Sequence, residues 1–330
     1  MKKNRITHAR NDSRDALIEM EWNRERGGND MYVIVGATGN TGSVVAEALL
    51  AKGEKVRAIG RDKDKLAKLA GKGAETLAGD TTDAAFLTKA FEGARAVYFM
   101  VPPNPTSDDY RGFQRAVFDA GATAVENAKV RYVVALSSYG ADKGSGCGPV
   151  SGLHEMETRF AKIPGLNVLF LRPGYFFENL LGQVGAIQGF GVVASPVRGD
   201  LKTAAIATED IGHAAAEHLL KLDFSGIETK ELLGQRDLTY NEVAKALGDA
   251  IGKPDLQYMQ MPGEQFVGAL GQMGIHPNVA ESIVEMCDAM NRGHMRALEP
   301  RTAANTTPTS IETFAREVFA PAFRGKAATA

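Results

Sequence analysis

From Met31 onward the chain alternates short apolar runs with longer stretches in which apolar residues return every three or four positions. The runs "MYVIVG", "KVRAIG", "AETLAGD", "ARAVYFMV", "RYVVALSS" and "LNVLFLRPG" predict strands. Between them, "TGSVVAEALLAKG", "DKDKLAKLAG", "TDAAFLTKAFEG", the segment from about Ser107 to Ala128, and "SGLHEMETRF" predict helices. Gly112 and Gly121 interrupt the fourth of these helices and weaken its middle. Near-continuous apolar strands belong to a parallel sheet covered on both faces. With right-handed crossovers the expectation is an α/β fold, a doubly wound, mostly parallel Rossmann sheet of order 3-2-1-4-5-6.

Past Gly174 the rhythm changes. "YFFENLLGQVGAIQGFGVVASPV" predicts a short helix and an irregular loop, and "TAAIATEDIGHAAAEHLLKL" a strand and helix that return to the main sheet. From Asp223 come the strand "IETKELLG", a helix from Thr239 to Ile251, and further short elements. The expected organisation is a nucleotide-binding domain over 31–174, completed by about 201–222. A smaller α/β C-terminal lobe, 175–200 and 223–330, would cover the carboxyl ends of the strands, where open α/β sheets bind ligands. Residues 1–30 are rich in both charges and poor in core formers, which predicts a mobile N-terminal tail that holds the lone Trp22.

Composition narrows the function classes. The 330 residues are 44% hydrophobic and 24% charged, with a net charge of −2, so no basic stripe for a nucleic acid is indicated. No apolar run reaches membrane-spanning length, and the amino-terminal stretch lacks the apolar core of a secretion signal. Cys147 and Cys287 lie far apart and the histidines show no ligand spacing, so neither a disulfide framework nor a metal site is expected. A cytoplasmic protein fits these features.

The chemistry begins at "VIVGATGNTG". Gly36, Gly39 and Gly42 stand between a strand and a helix, where glycine lets the backbone turn and approach a pyrophosphate at the helix N-terminus. Thr38, Asn40 and Thr41 belong to the same turn, and the side chains of Asn40 and Thr41 can add donors. The second strand ends in "GRD". Arg61 facing a 2′-phosphate would select NADP(H), whereas Asp62 facing the ribose would select NAD(H); the expected cofactor is NADP(H), with NAD(H) possible. Asp80 and Thr81 fall where an adenine would lie, although Asp80 or Thr82 could equally cap the next helix. Val101, Pro102 and Asn104 sit at the tip of the fourth strand, Pro173 at the tip of the sixth. Tyr175, Phe176 and Asn179 offer a wall for a flat acceptor, or the two rings pack the lobe interface.

These motifs, with "LSSYGA", "LHEMETRF", "LRPGYFFENL", "TAAIATEDIGHAAAEHL" and "LTYNEVAKALGDAIGKP", make the chain resemble the NmrA-like group of atypical short-chain dehydrogenases/reductases. The resemblance implies a Rossmann fold that binds NAD(P). It implies either an NADPH-dependent oxidoreductase for quinone-like or conjugated acceptors, or a redox sensor that binds the cofactor and a regulatory protein partner. In typical short-chain dehydrogenases a serine polarises the carbonyl, while a tyrosine four residues before a lysine donates the proton. Here Ser137 and Ser138 supply hydroxyls, but His154 and Thr158 stand at the places assigned to tyrosine and lysine. His154 either supplies the proton, since imidazole titrates near neutral pH, or holds a loop carbonyl or the ribose. Arg172 is expected as an ion-pair partner, with Glu155 and Glu157 solvated or capping.

Overall fold

The computed structural model describes residues 30–325; the tail and Trp22 lie outside the described residues. Strands and helices alternate as β1 (Met31–Val35), α1 (Asn40–Ala51), β2 (Lys55–Gly60), α2 (Lys63–Ala70), β3 (Glu75–Ala78) and α3 (Ala84–Phe91). They continue as β4 (Ala94–Phe99), α4 (Tyr110–Asn127), β5 (Tyr132–Leu136), α5 (Pro149–Phe160) and β6 (Asn167–Pro173). Their order in space is 3-2-1-4-5-6, and each pairing is parallel.

Alternation along the strands splits the core between the two faces of the sheet. Tyr32 and Ile34 of β1 pack with Val45 and Leu49 of α1, whereas Val33 and Val35 face Leu87, Phe91, Val117 and Phe160. Helix α4 runs unbroken through both of its glycines and begins at Tyr110, because Asp109 caps it. Gly121 lies against the Phe99 ring, where a Cβ would come within 2.2 Å. The glycine permits close helix–sheet contact there rather than marking a break.

Further elements include β7 (Tyr175–Phe176), α6 (Val184–Phe190), β8 (Val192–Ser195), β9 (Thr203–Ile206) and α7 (Thr208–Lys221). After them come β10 (Ile227–Leu232), β11 (Asp237–Leu238), α8 (Tyr240–Ile251), β12 (Gln257–Gln260), α9 (Gly263–Gln272) and α10 (Pro277–Asn291). Two expectations are corrected here. The strand within 201–222, β9, does not return to the main sheet but pairs with β7 and β11 in a three-stranded sheet. The seventh strand of the main sheet is instead β10, expected in the lobe, which pairs in parallel with β6 from Ile227–Val168 to Leu232–Pro173. Helix α7 does return and packs so tightly on α1 that a Cβ on Gly212 would lie 2.5 Å from Val44.

The lobe has its own core around Phe177, Leu247, Phe314 and Phe319. It meets the sheet through Tyr139, Cys147, Val150, Tyr240, Cys287, Met290 and Met295. Helix α10 lies beside the strand tips: the His276 amide donates to Pro105 O (2.8 Å) and Asn278 Oδ1 accepts from the Tyr110 amide (2.9 Å). Among the described residues no helix is long and apolar enough to cross a membrane.

Candidate functional site

The turn after β1 is built for close approach. Gly36 adopts φ +70°, and a Cβ on it would strike the Met100 sulfur at 2.6 Å. A Cβ on Gly42 would stand 2.3 Å from Gly36 O, so α1 leaves directly from the end of β1. No side chain caps α1, and its first helical bond runs from Ser43 N to Gly39 O (3.0 Å). The amides of Asn40, Thr41 and Gly42 therefore point out of the helix start, beside the positive end of its dipole. Gly39 and Asn40 are exposed there, and Thr38 leans over Gly60 at the tip of β2.

Thr41 does not offer its hydroxyl. The side chain is buried, and its Oγ1 accepts from the Tyr98 hydroxyl at 2.9 Å. The Thr41 amide stays at the open helix start, and the Asn40 carboxamide makes no hydrogen bond among the described residues.

Arg61 and Asp62 are separated by what they already do. The Asp62 carboxylate caps α2, accepting from Asp64 N (3.0 Å) and Lys65 N (3.1 Å). Arg61 is exposed and makes no hydrogen bond or ion pair among the described residues. A guanidinium without a partner at the tip of β2 matches a terminal phosphate monoester. After β3, Asp80 accepts from its own turn at Thr82 N (2.9 Å), and Thr81 is buried. The cap of α3 is neither Asp80 nor Thr82 but Asp83, which accepts from Ala85 N and Phe86 N.

Val101 packs on the α4–α5 side of the core, Pro102 is half-buried beyond it, and Asn104 closes a small turn with Thr106 and Ser107. Pro173 is buried, and its carbonyl accepts from the Tyr139 amide at 3.1 Å.

Sequence reasoning placed Ser137, Ser138 and His154 together as a catalytic set, and their hydrogen bonds run elsewhere. Ser137 is 2% exposed and donates to Glu157 Oε1 (2.6 Å). Arg172 holds both oxygens of the same carboxylate, at 2.9 and 2.5 Å. Burial works against the Arg172 charge, but the bidentate Glu157 carboxylate outweighs it and raises the guanidinium pKa. Glu157 is thus a buried partner rather than a solvated residue, and Arg172 is the ion-pair residue expected. Ser138 donates to Tyr139 O (3.0 Å). His154 Nδ1 donates to Ala141 O (2.8 Å), and its ring lines an outer groove of about 340 Å³ with Arg115, Phe118 and Lys162. That bond ties α5 to the loop 138–148.

Tyr175 stands edge-on to Tyr240 (6.1 Å between centroids), and Tyr240 lies 5.1 Å from Tyr258. Burial raises the phenol pKa of Tyr139, Tyr175 and Tyr240, so all three stay protonated. Phe176 packs against the sheet core around Ile206 and Leu232, whereas Tyr175 belongs to the lobe. Asn179 is exposed beside Tyr175.

A profile of the NmrA-like family matches residues 29–315. The chain belongs to the NmrA-like family. One relative, the NAD(P)H azoreductase of Xenophilus azovorans, is 29% identical over 78% of this chain and 86% of its own length. The NADPH-dependent quinone oxidoreductase of Escherichia coli, solved with NADPH, superposes with a TM-score of 0.72 at 24% identity, covering 88% of this chain and 99% of that one. The triphenylmethane reductase of Citrobacter sp., solved with NADP(H), also gives 0.72, at 21% identity over 87% and 99%. These likenesses establish the Rossmann-type fold of this NmrA-like chain.

Glu157, Tyr139, Tyr240 and Cys287 are site neighbours that sequence reasoning missed. Glu157 carried a signal, since it falls on the same helix face as Met156 and Phe160. Tyr139 stands directly after Ser137 and Ser138 in "LSSYGA", whereas Tyr240 and Cys287 come from distant segments that no local spacing joins to it.

Proposed function

We propose that this protein is an NADPH-dependent oxidoreductase that reduces flat, conjugated acceptors such as quinones and azo compounds. One observation carries the cofactor choice: an uncapped α1 N-terminus after the glycine turn, with the unpartnered Arg61 at the neighbouring strand tip. The relatives and structural neighbours, an azoreductase, a quinone oxidoreductase and a dye reductase, support the acceptor class.

In this reading the turn from Gly36 to Gly42 receives the pyrophosphate through main-chain amides, and Arg61 meets the 2′-phosphate. Asp80 and Thr81 border the adenine, while Val101, Pro102 and Pro173 border the nicotinamide. Bound NADPH supplies a hydride. The chain's own residues hold the acceptor and shield it from water: Tyr175 and Asn179 on one wall, Asn104 and α10 on the other. Ser137 and His154 act through structure, the first on the Glu157–Arg172 pair and the second on the loop 138–148. Ser138 remains the serine free of that pair.

Absorbance at 340 nm, followed with a panel of quinones and azo dyes, tests the reading. NADPH consumption well above the uncatalysed rate is expected with at least one class. A protein that binds NADPH and consumes none with any of them refutes the assignment.

A further inference from the structure

Tyr139 is 3% exposed, and its hydroxyl has no hydrogen-bond partner among the described residues. A buried phenol in that condition has lost its hydration without return, and native interiors seldom keep one. Arg111 and Gln114 also bury an unmatched atom, but each bonds through another, to Gly148 O and Pro149 O. Asp142 does so through Lys143. Thr307 shares the condition of Tyr139 but lines a separate groove beside α7.

Tyr139 follows Ser137 and Ser138 at the tip of β5, and its amide is bonded to Pro173 O at the tip of β6. Tyr139 shares one buried cluster with Cys147 just before α5, Cys287 on α10, and Tyr240, whose ring stands 6.1 Å from that of Tyr175. Val150, Met290 and Met295 belong to the same cluster. Tyr175 keeps part of its surface open. Tyr139 therefore sits where two strand tips, the start of α5 and the covering helix converge.

We propose that the Tyr139 hydroxyl is the hydrogen-bond donor for the polar atom of the acceptor, a quinone carbonyl oxygen or an azo nitrogen, with the aromatic body against Tyr175. This inference rests on the oxidoreductase reading above. Tyr139 holds its proton and donates a hydrogen bond; it transfers nothing.

The test is binding of menadione to the protein saturated with NADP⁺, followed by difference absorbance, for the wild type and Tyr139→Phe. The substitution should weaken menadione about five- to tenfold, the worth of one neutral hydrogen bond. NADP⁺ affinity should stay unchanged and Tm should stay equal or rise, because an unmatched hydroxyl has been removed. Equal menadione affinity in the two proteins, a lowered Tm, or no menadione binding by the wild type overturns the proposal. Tyr139-dependent binding without NADPH oxidation upholds it and overturns the oxidoreductase reading alone.

Discussion

Arg61 and Asp62 follow β2 in succession, yet only Arg61 is available to a ligand, because Asp62 holds the start of α2. Replacing Arg61 with Ala should therefore weaken NADPH about 10- to 100-fold, the loss of a charged hydrogen-bond pair, and leave NADH nearly unchanged. Fluorescence titration of both nucleotides checks this, and equal losses for the two would count against a phosphate contact. Glu157 gives the second prediction at this scale. Its carboxylate is 10% exposed and bidentate with Arg172, so Glu157→Leu leaves a buried guanidinium alone and should cost about 3–5 kcal/mol in urea unfolding. Adding Arg172→Met should recover most of that loss. The glycine spacing and Arg61 were legible in the chain because a turn and a strand tip are local. The Thr41–Tyr98 bond spans 57 positions, and no spacing announces it.

The start of α1 and the start of α8 make opposite use of the same helix physics. Helix α1 leaves its first amides without a side-chain cap among the described residues, whereas α8 closes its own with a capping box: Thr239 accepts from Glu242 N (3.1 Å), and Glu242 accepts from Thr239 N (2.8 Å). Thr239→Ala should cost about 1 kcal/mol. The Thr239 backbone and hydroxyl hold the Glu242 pKa below its ordinary value. That stabilisation is present above the usual carboxylate range and is lost as pH falls through the lowered pKa. Melting curves between pH 3 and 7 should show the Thr239→Ala deficit shrinking at the acid end. At α1, Gly42→Ala meets Gly36 O rather than a flexible side chain, so both Tm and nucleotide affinity should drop. The sheet order was readable because long apolar strands alternate with amphipathic helices. The exchange between β9 and β10 was not: both are short runs, and the open edge of β6 accepts whichever the loops deliver.

Across the whole molecule, the two cysteines report on how firmly the lobe sits. Cys147 precedes α5 and Cys287 lies on α10; both are buried, and burial pushes the Cys287 thiol up to about 12. Neither should react with a thiol reagent in the folded protein at pH 8, and NADPH together with an acceptor should slow the residual rate further. Ellman titration with and without ligands measures it, and rapid labelling of the ligand-free protein would mean that α10 does not stay in place. The change of rhythm after Gly174 marks the lobe in the chain; its seat on the strand tips depends on contacts such as His276 to Pro105 that no periodicity encodes.

Strand β10 carries a liability as well as an edge. Because the chain enters the lobe after β6 and returns later to lie alongside it, the row of amides and carbonyls from Val168 to Pro173 is sealed only by residues that arrive some sixty positions on. A nascent or proteolysed chain ending at Leu222 would expose that ladder, flat and apolar, to its own kind. Such a fragment is expected to clump into strand-paired aggregates, and a newly made chain is at risk until synthesis has passed Leu232.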